Sequence, residues 1–246
     1  SMSPDTSENT SGRERLLLID ALRGSAIVLM VLYHFCFDLA HFGLVAFDFY
    51  HDGFWLHTRT LILGSFLLLV GVSLVLAVRK RLDVRRYLQR LAAIVAAALL
   101  VSAVTWWQFA ERLVFFGVLH FIALASILGL LFVRAGRFNL VAGVALIVIG
   151  NYYQFAWFDE PGWRWIGLMT HKPLTVDYVP LLPWFGVVLL GMGVAPALQR
   201  LARGLRSSRQ PLAWLAAAGR HSLLIYLLHQ PLLMGAVALY AKFSQS

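Results

Sequence analysis

Hydrophobic residues run in blocks of roughly the ~20 residues that a bilayer core requires, and short polar or basic stretches separate them. Read by hydropathy, the blocks predict membrane-spanning α-helices near 16–40, 60–79, 88–107, 113–133, 138–156, 180–199 and 221–242. The fold class is therefore all-α, a polytopic membrane helical bundle of about seven transmembrane helices. The first block is too long for a cleaved signal peptide, holds an Arg and two Asp, and lacks a small-x-small site at its end. Residues 1–12, SMSPDTSENTSG, are polar and aperiodic and read as a disordered tail ahead of a single transmembrane domain over 13–246.

Composition strengthens this picture: 60% of the 246 residues are hydrophobic, 13% are charged, and the mean hydropathy is +0.73. Charge adds orientation. Fifteen of the 21 Lys and Arg fall before span one, between spans two and three, between four and five, or before span seven. Five lie on the opposite side, and Arg23 is inside span one. The positive-inside bias puts the N-terminus in the cytoplasm and the C-terminus outside. The net charge of +9 then faces anionic lipid headgroups of the bilayer, so no nucleic acid partner is expected. The basic run RKRLDVRR between spans two and three also suits an anionic soluble ligand. The outer loops 41–59 and 151–179 are rich in aromatic residues, which fits an interfacial belt or a platform for a stacked sugar ring. Gly64, Gly71, Gly191 and Gly193 are read as sites of close helix packing.

Candidate chemistry concentrates in span one. At 100° per residue, Asp20, Arg23, His34, Asp38 and His41 fall at roughly 0°, 300°, 320°, 0° and 300°, a stripe about 60° wide. Polar side chains in hydrocarbon cost several kcal/mol unless paired, so the stripe must face the protein interior or a wet cavity. His34 and Asp38 are i,i+4 neighbours, which predicts a general-base dyad. Burial favours the neutral ring and a nearby carboxylate the charged one, so the opposing terms suit a base that cycles between the two. Arg23, eleven residues earlier and about 16 Å nearer the cytoplasm on the same face, implies an anion. That anion is either Asp20 or the phosphates of a cytoplasmic ligand.

Other residues follow from depth and position. His120 in span four would reach a depth similar to that of His34, as a second catalytic group or as a satisfied interhelical hydrogen bond. Asp177 and Tyr178 stand at the outer entrance of span six, with Arg59 in span two's outer turn, as substrate-binding candidates. His229, ahead of Pro231 in span seven, and Trp184 in span six are candidates for the channel of the cytoplasmic ligand. The lone Cys36 points away from the stripe and is read as a packing residue. Eight histidines show neither H-x-x-x-H nor H-E-x-x-H spacing, so no metal is expected.

The stretch LIDALRGSAIVLMVLYHFCFDL resembles the opening helix of the transmembrane acyltransferases related to heparan-alpha-glucosaminide N-acetyltransferase. It also has the Arg-ten-residues-His spacing of membrane O-acyltransferases that modify bacterial polysaccharides. The resemblance continues through FLLLVGVSL, FFGVLHFIALASILG, DYVPLLPWFGVVLLGMGV and GRHSLLIYLLHQPLL, touching five of the seven spans. It implies transfer of an acyl group, acetyl above all, from cytoplasmic acyl-CoA to a carbohydrate acceptor across the membrane. Acyl-CoA is then the co-substrate, and Ser73 in the second matching stretch joins Arg23, His229 and Trp184 toward the donor. The lysosomal member of the family has Asn where His34 falls and places its active-site His in the following loop. Here that loop carries His51 and His57. His34 is preferred because it has an acid partner, and His51, beside Asp52, is second. Direct transfer and an acyl-histidine relay both fit.

The alternative class is a proton-coupled transporter that uses the same stripe as a proton relay, although no internal repeat supports it. A seven-helix retinal protein is disfavoured because Lys80, Lys172 and Lys242 all lie outside helix centres. A multi-pass protein of a bacterial inner membrane is expected, and the sequence permits a homo-oligomer.

Overall fold

The computed structural model describes residues 4–79, 81–204 and 209–244. Among them the chain is all-helical, with eight α-helices: α1 Pro4–His41, α2 Gly53–Arg79, α3 Val84–Gln108, α4 Val118–Phe132, α5 Phe138–Tyr152, α6 Leu181–Gly204, α7 Arg209–Arg220 and α8 Ser222–Ser244. Three short 3-10 turns accompany them, Ala110–Arg112, Ala156–Asp159 and Arg164–Ile166.

Five helices are long and apolar enough to cross a membrane: Leu17–His41 within α1, then α2, α3, Leu181–Ala202 within α6, and α8. The blocks at 113–133 and 138–156 become the shorter helices α4 and α5, of 15 residues each. At 1.5 Å per residue that is about 22 Å, against a hydrocarbon core of about 30 Å. Hydropathy overstates them because Leu113 to Gly117, an apolar run, and Tyr153 to Phe155, aromatic around Gln154, are not helical. α1 takes in residues 4–12, which the sequence reading leaves as a tail; a helix already nucleated propagates into a polar segment at little cost. Helix α7 has no counterpart among the expected spans, since its apolar positions fill only one face.

The chain forms two compact units, Ser1–Phe66 with Leu198–Ser246, and Leu67–Ala197. In the first, α1 and α7 meet backbone to backbone. A Cβ on Gly24 would lie 1.8 Å from the Leu215 carbonyl oxygen, and one on Gly219 would lie 1.9 Å from that of Asp20. Only glycine fits at either place. Arg220 reaches Asp20, His229 meets His34, and Gln230 meets Asp38, so α8 runs parallel to α1.

The second unit is built by the same device. Gly71 on α2 and Gly191 on α6 would set a Cβ 2.0 Å from the carbonyl oxygens of Val188 and Leu68, respectively, as their expected packing role requires. Leu67, Val72, Phe121, Val188 and Leu189 form its fully buried core. Asp83 caps α3, its side chain accepting from the Arg86 N–H.

Candidate functional site: a buried histidine pair

α1 and α8 place four polar side chains together in the first unit. The rings of His34 and His229 meet edge to face, with centroids 4.8 Å apart and planes at 73°. His34 Nδ1 lies 2.9 Å from the Met30 carbonyl oxygen, and His229 Nδ1 lies 2.7 Å from that of Tyr226. A carbonyl only accepts, so each neutral ring carries its proton on Nδ1 and keeps its lone pair on Nε2. The basic nitrogen of each ring is therefore Nε2, and that of His229 is buried without a partner.

The carboxylate beside them is held differently from the dyad that the spacing predicts. Asp38 is fully buried, and its Oδ1 accepts from Gln230 Nε2 at 3.0 Å. His34 bonds one turn back to the Met30 carbonyl, because helical side chains lean toward the N-terminus. Gln230 is thus the group that orients Asp38.

Three atoms of this cluster, Asp38 Oδ2, His229 Nε2 and Gln230 Oε1, are buried without a hydrogen-bond partner. Among the described residues the other such atom is Asn139 Oδ1, which belongs to the second unit. Each unpaired buried polar group costs about 1–3 kcal/mol. All three are acceptors, so the chemistry that satisfies them is a donated O–H or N–H.

Pro231 helps to build the site. Its missing N–H leaves the carbonyl four residues earlier without its helical partner, and polar neighbours are tolerated at such a break in a membrane helix. The sequence reading assigns His229 to a donor channel, and the kink by itself would account for a Gln at 230. The structure brings both to His34 and Asp38. Their shared position at mid-helix, on two spans that enter from the same side, is the signal that would have paired them.

An aromatic wall adjoins the pair. Tyr33 stands edge-on to His34 at 5.7 Å, Phe49 at 5.3 Å and Trp55 at 5.9 Å, all in the same unit. Lower on α1, Arg23 is buried, and its Nη1 lies 3.0 Å from Asp20 Oδ1. Arg220 Nη1 is 3.9 Å from the other oxygen, so one carboxylate serves two guanidinium groups. The internal ion pair is therefore made.

His51 turns to Asp48 rather than Asp52: its Nδ1 lies 3.0 Å from Asp48 Oδ2, while Asp52 Oδ1 accepts from the Phe54 N–H at the start of α2. Both contacts of His51 with Asp48, through its N–H and its Nδ1, are set by the turn that closes the 42–52 loop. Arg59 is exposed on α2, and Trp184 and Ser73 are half-buried on α6 and α2.

His120 belongs to the second unit, where both ring nitrogens are engaged. The Gly117 N–H donates to Nδ1 at 3.2 Å, which leaves Nε2–H to donate to Ser102 Oγ at 2.8 Å. The Ser102 hydroxyl continues to the Val114 carbonyl at 2.6 Å. This is the interhelical hydrogen bond that the sequence reading weighs against a catalytic role. Asp177 Oδ2 accepts from the Val118 N–H at 2.8 Å and so caps the N-terminus of α4. The Tyr178 hydroxyl donates to the Arg164 carbonyl at 2.7 Å, and burial pushes its phenol up to about 12, so it remains a donor at neutral pH. Asp177→Ala is expected to lower stability by about 1–2 kcal/mol, as loss of a helix cap does, and to lower Tm in detergent. If Asp177 bound the acceptor instead, the acceptor KM would rise at unchanged Tm.

Fold and site define an integral, multi-pass, all-helical membrane protein with a buried donor-seeking cluster on its first and last helices. The sequence pattern of the heparan-alpha-glucosaminide N-acetyltransferase catalytic family matches residues 15–231, a stretch that includes His34, Asp38, His229 and Gln230, and the chain belongs to that family. No curated protein and no solved structure matches it.

Proposed function

We propose that the protein transfers an acetyl group from cytoplasmic acetyl-CoA to a carbohydrate acceptor, with the His34–His229 pair as general base. The observation that carries this reading is the set of buried acceptor atoms, Asp38 Oδ2, His229 Nε2 and Gln230 Oε1, beside a half-buried His34. A nucleophile about to lose a proton is the kind of donor that such a set recognises.

In this scheme the acceptor O–H or N–H points at His34 Nε2, which removes the proton as the nucleophile attacks the thioester carbonyl. The tetrahedral intermediate collapses with loss of the CoA thiolate, and the imidazolium returns the proton to that sulfur. Asp38, held by Gln230, stabilises the imidazolium electrostatically. Arg23 and Arg220 supply guanidinium groups for the donor phosphates at the cytoplasmic end of α1. Seven crossings with the N-terminus in the cytoplasm are part of the proposal. The parallel course of α1 and α8 supports an odd number of crossings, because both helices must cross in the same sense.

The test is acetyl transfer by the purified chain in nanodiscs, with radiolabelled acetyl-CoA and a panel of hexoses and hexosamines. Labelled glycan that accumulates with time is the expected result. Thioester hydrolysis with no labelled acceptor, or no turnover at all, would remove the proposal.

A further inference from the structure

Beyond the polar cluster, a cleft of about 210 Å³ opens where α1 ends, lined by Phe37, His41, Phe47, Asp48, Phe49 and Tyr50. Its rings brace one another: Phe37 contacts Phe49 at 5.3 Å and Tyr50 at 6.3 Å, and it stacks on His41 with planes at 15°. Asp48 is the fixed charge on this wall. Its Oδ1 accepts from the N–H groups of Tyr50 and His51, each at 3.0 Å, and Oδ2 meets His51 Nδ1 at 3.0 Å. The Tyr50 N–H, followed by the contacts to His51, outweighs desolvation and holds the carboxyl below the usual carboxylate range. A carboxylate offers about four acceptor positions, so these donors leave room for one more.

Asp48 is the one carboxylate in the lining of the cleft, and the nearest described arginine is felt at Tyr33, behind Phe49, where Arg59 acts. An aromatic wall around a carboxylate is the arrangement that holds an alkylammonium ion, through the ring faces and the anion together. A neutral ligand of equal size would use the rings but not the charge.

We propose that this cleft holds an alkylammonium group of the acceptor. The word acceptor rests on the acetyl-transfer reading; the binding does not. An ammonium has no lone pair, so the group held here is an anchor and not the nucleophile. The acceptor therefore carries a second group, a hydroxyl or a neutral amine, that reaches the histidine pair. The path is short: Phe37 lies one turn beyond His34, about 4.5 Å along α1, and the ring series His34–Tyr33–Phe49 leads from the base into the cleft. An amino alcohol or a diamine has the right form.

The full chain in phosphatidylglycerol nanodiscs is titrated with tetramethylammonium, which cannot be acylated, and binding is followed by calorimetry. Saturable binding is expected, at least tenfold weaker in Asp48→Asn and several-fold weaker in Phe47→Leu. Asn keeps an oxygen for the two backbone N–H groups, so the turn survives, as an unchanged Tm would verify. Equal binding by Asp48→Asn, or equal binding of neutral tert-butanol by the wild type, overturns the proposal. Phosphatidylcholine nanodiscs repeat the titration with a choline headgroup present. Unchanged affinity there supports a soluble acceptor, whereas a tenfold loss makes the lipid the occupant and overturns it. Probe binding without any acetyl transfer would leave the cleft assignment standing and remove the enzymatic reading instead.

Discussion

Alanine at His34 or at His229 is expected to lower acetyl transfer by about 10²–10⁴-fold, the usual contribution of a general base, with kcat falling more than the donor KM rises. The two rings meet edge to face at 4.8 Å, and in the proposed mechanism they serve one proton. Groups that act as a unit are strongly non-additive. The double variant should therefore lose little more than either single one. Gln230→Ala should show a smaller loss, because it frees Asp38 without removing a base, and Gln230→Glu should not restore activity, because a carboxylate cannot donate to Asp38 Oδ1. Turnover within twofold of wild type in both single histidine variants would end the assignment.

The second large effect is structural. Gly24→Ala or Gly219→Ala should separate α1 from α7, since the new Cβ would sit 1.8 or 1.9 Å from a backbone carbonyl oxygen, far inside van der Waals contact. Backbone cannot step aside as a flexible side chain can, so the cost belongs at or above the usual 1–3 kcal/mol of overpacking. A fall in Tm in detergent is the measurement, with activity falling alongside, because Gly24 precedes His34 on the same helix. Gly235→Ala is the control: nothing lies within 4 Å of its Cβ position, so its Tm should stay at the wild-type value. If Gly24→Ala melts with the control, the close contact is not what holds α7 in place.

Particular residues mark how far the sequence could be read. The narrow stripe on α1 requires a protein-facing surface for His34 and Asp38, and Asp38 is fully buried while His34 is half-buried. The partners were less legible. The i,i+4 rule pairs His34 with Asp38, but a helical carbonyl at Met30 competes for the same Nδ1 and takes it. The true partner of Asp38 is 192 residues away in sequence, at Gln230. Asp177 and His120 look like site residues by type and depth. Their hydrogen bonds cap α4 and tie it to α3. The apolar blocks at 113–133 and 138–156 form shorter helices than hydropathy predicts, because averaging over residues does not test whether they stay helical.

What the sequence determined by itself is the solvent and the periodicity: apolar blocks of bilayer length make helices, and a polar stripe on one of them must turn inward, because hydrocarbon offers no hydrogen bonds. What only the tertiary structure decided is which distant groups meet there. Gly24 and Gly219 allow α1 and α7 to touch, α8 runs parallel to α1, and His229 and Gln230 arrive beside His34 and Asp38. Spacing along one helix fixes direction only; a contact between helices depends on how closely their backbones can approach.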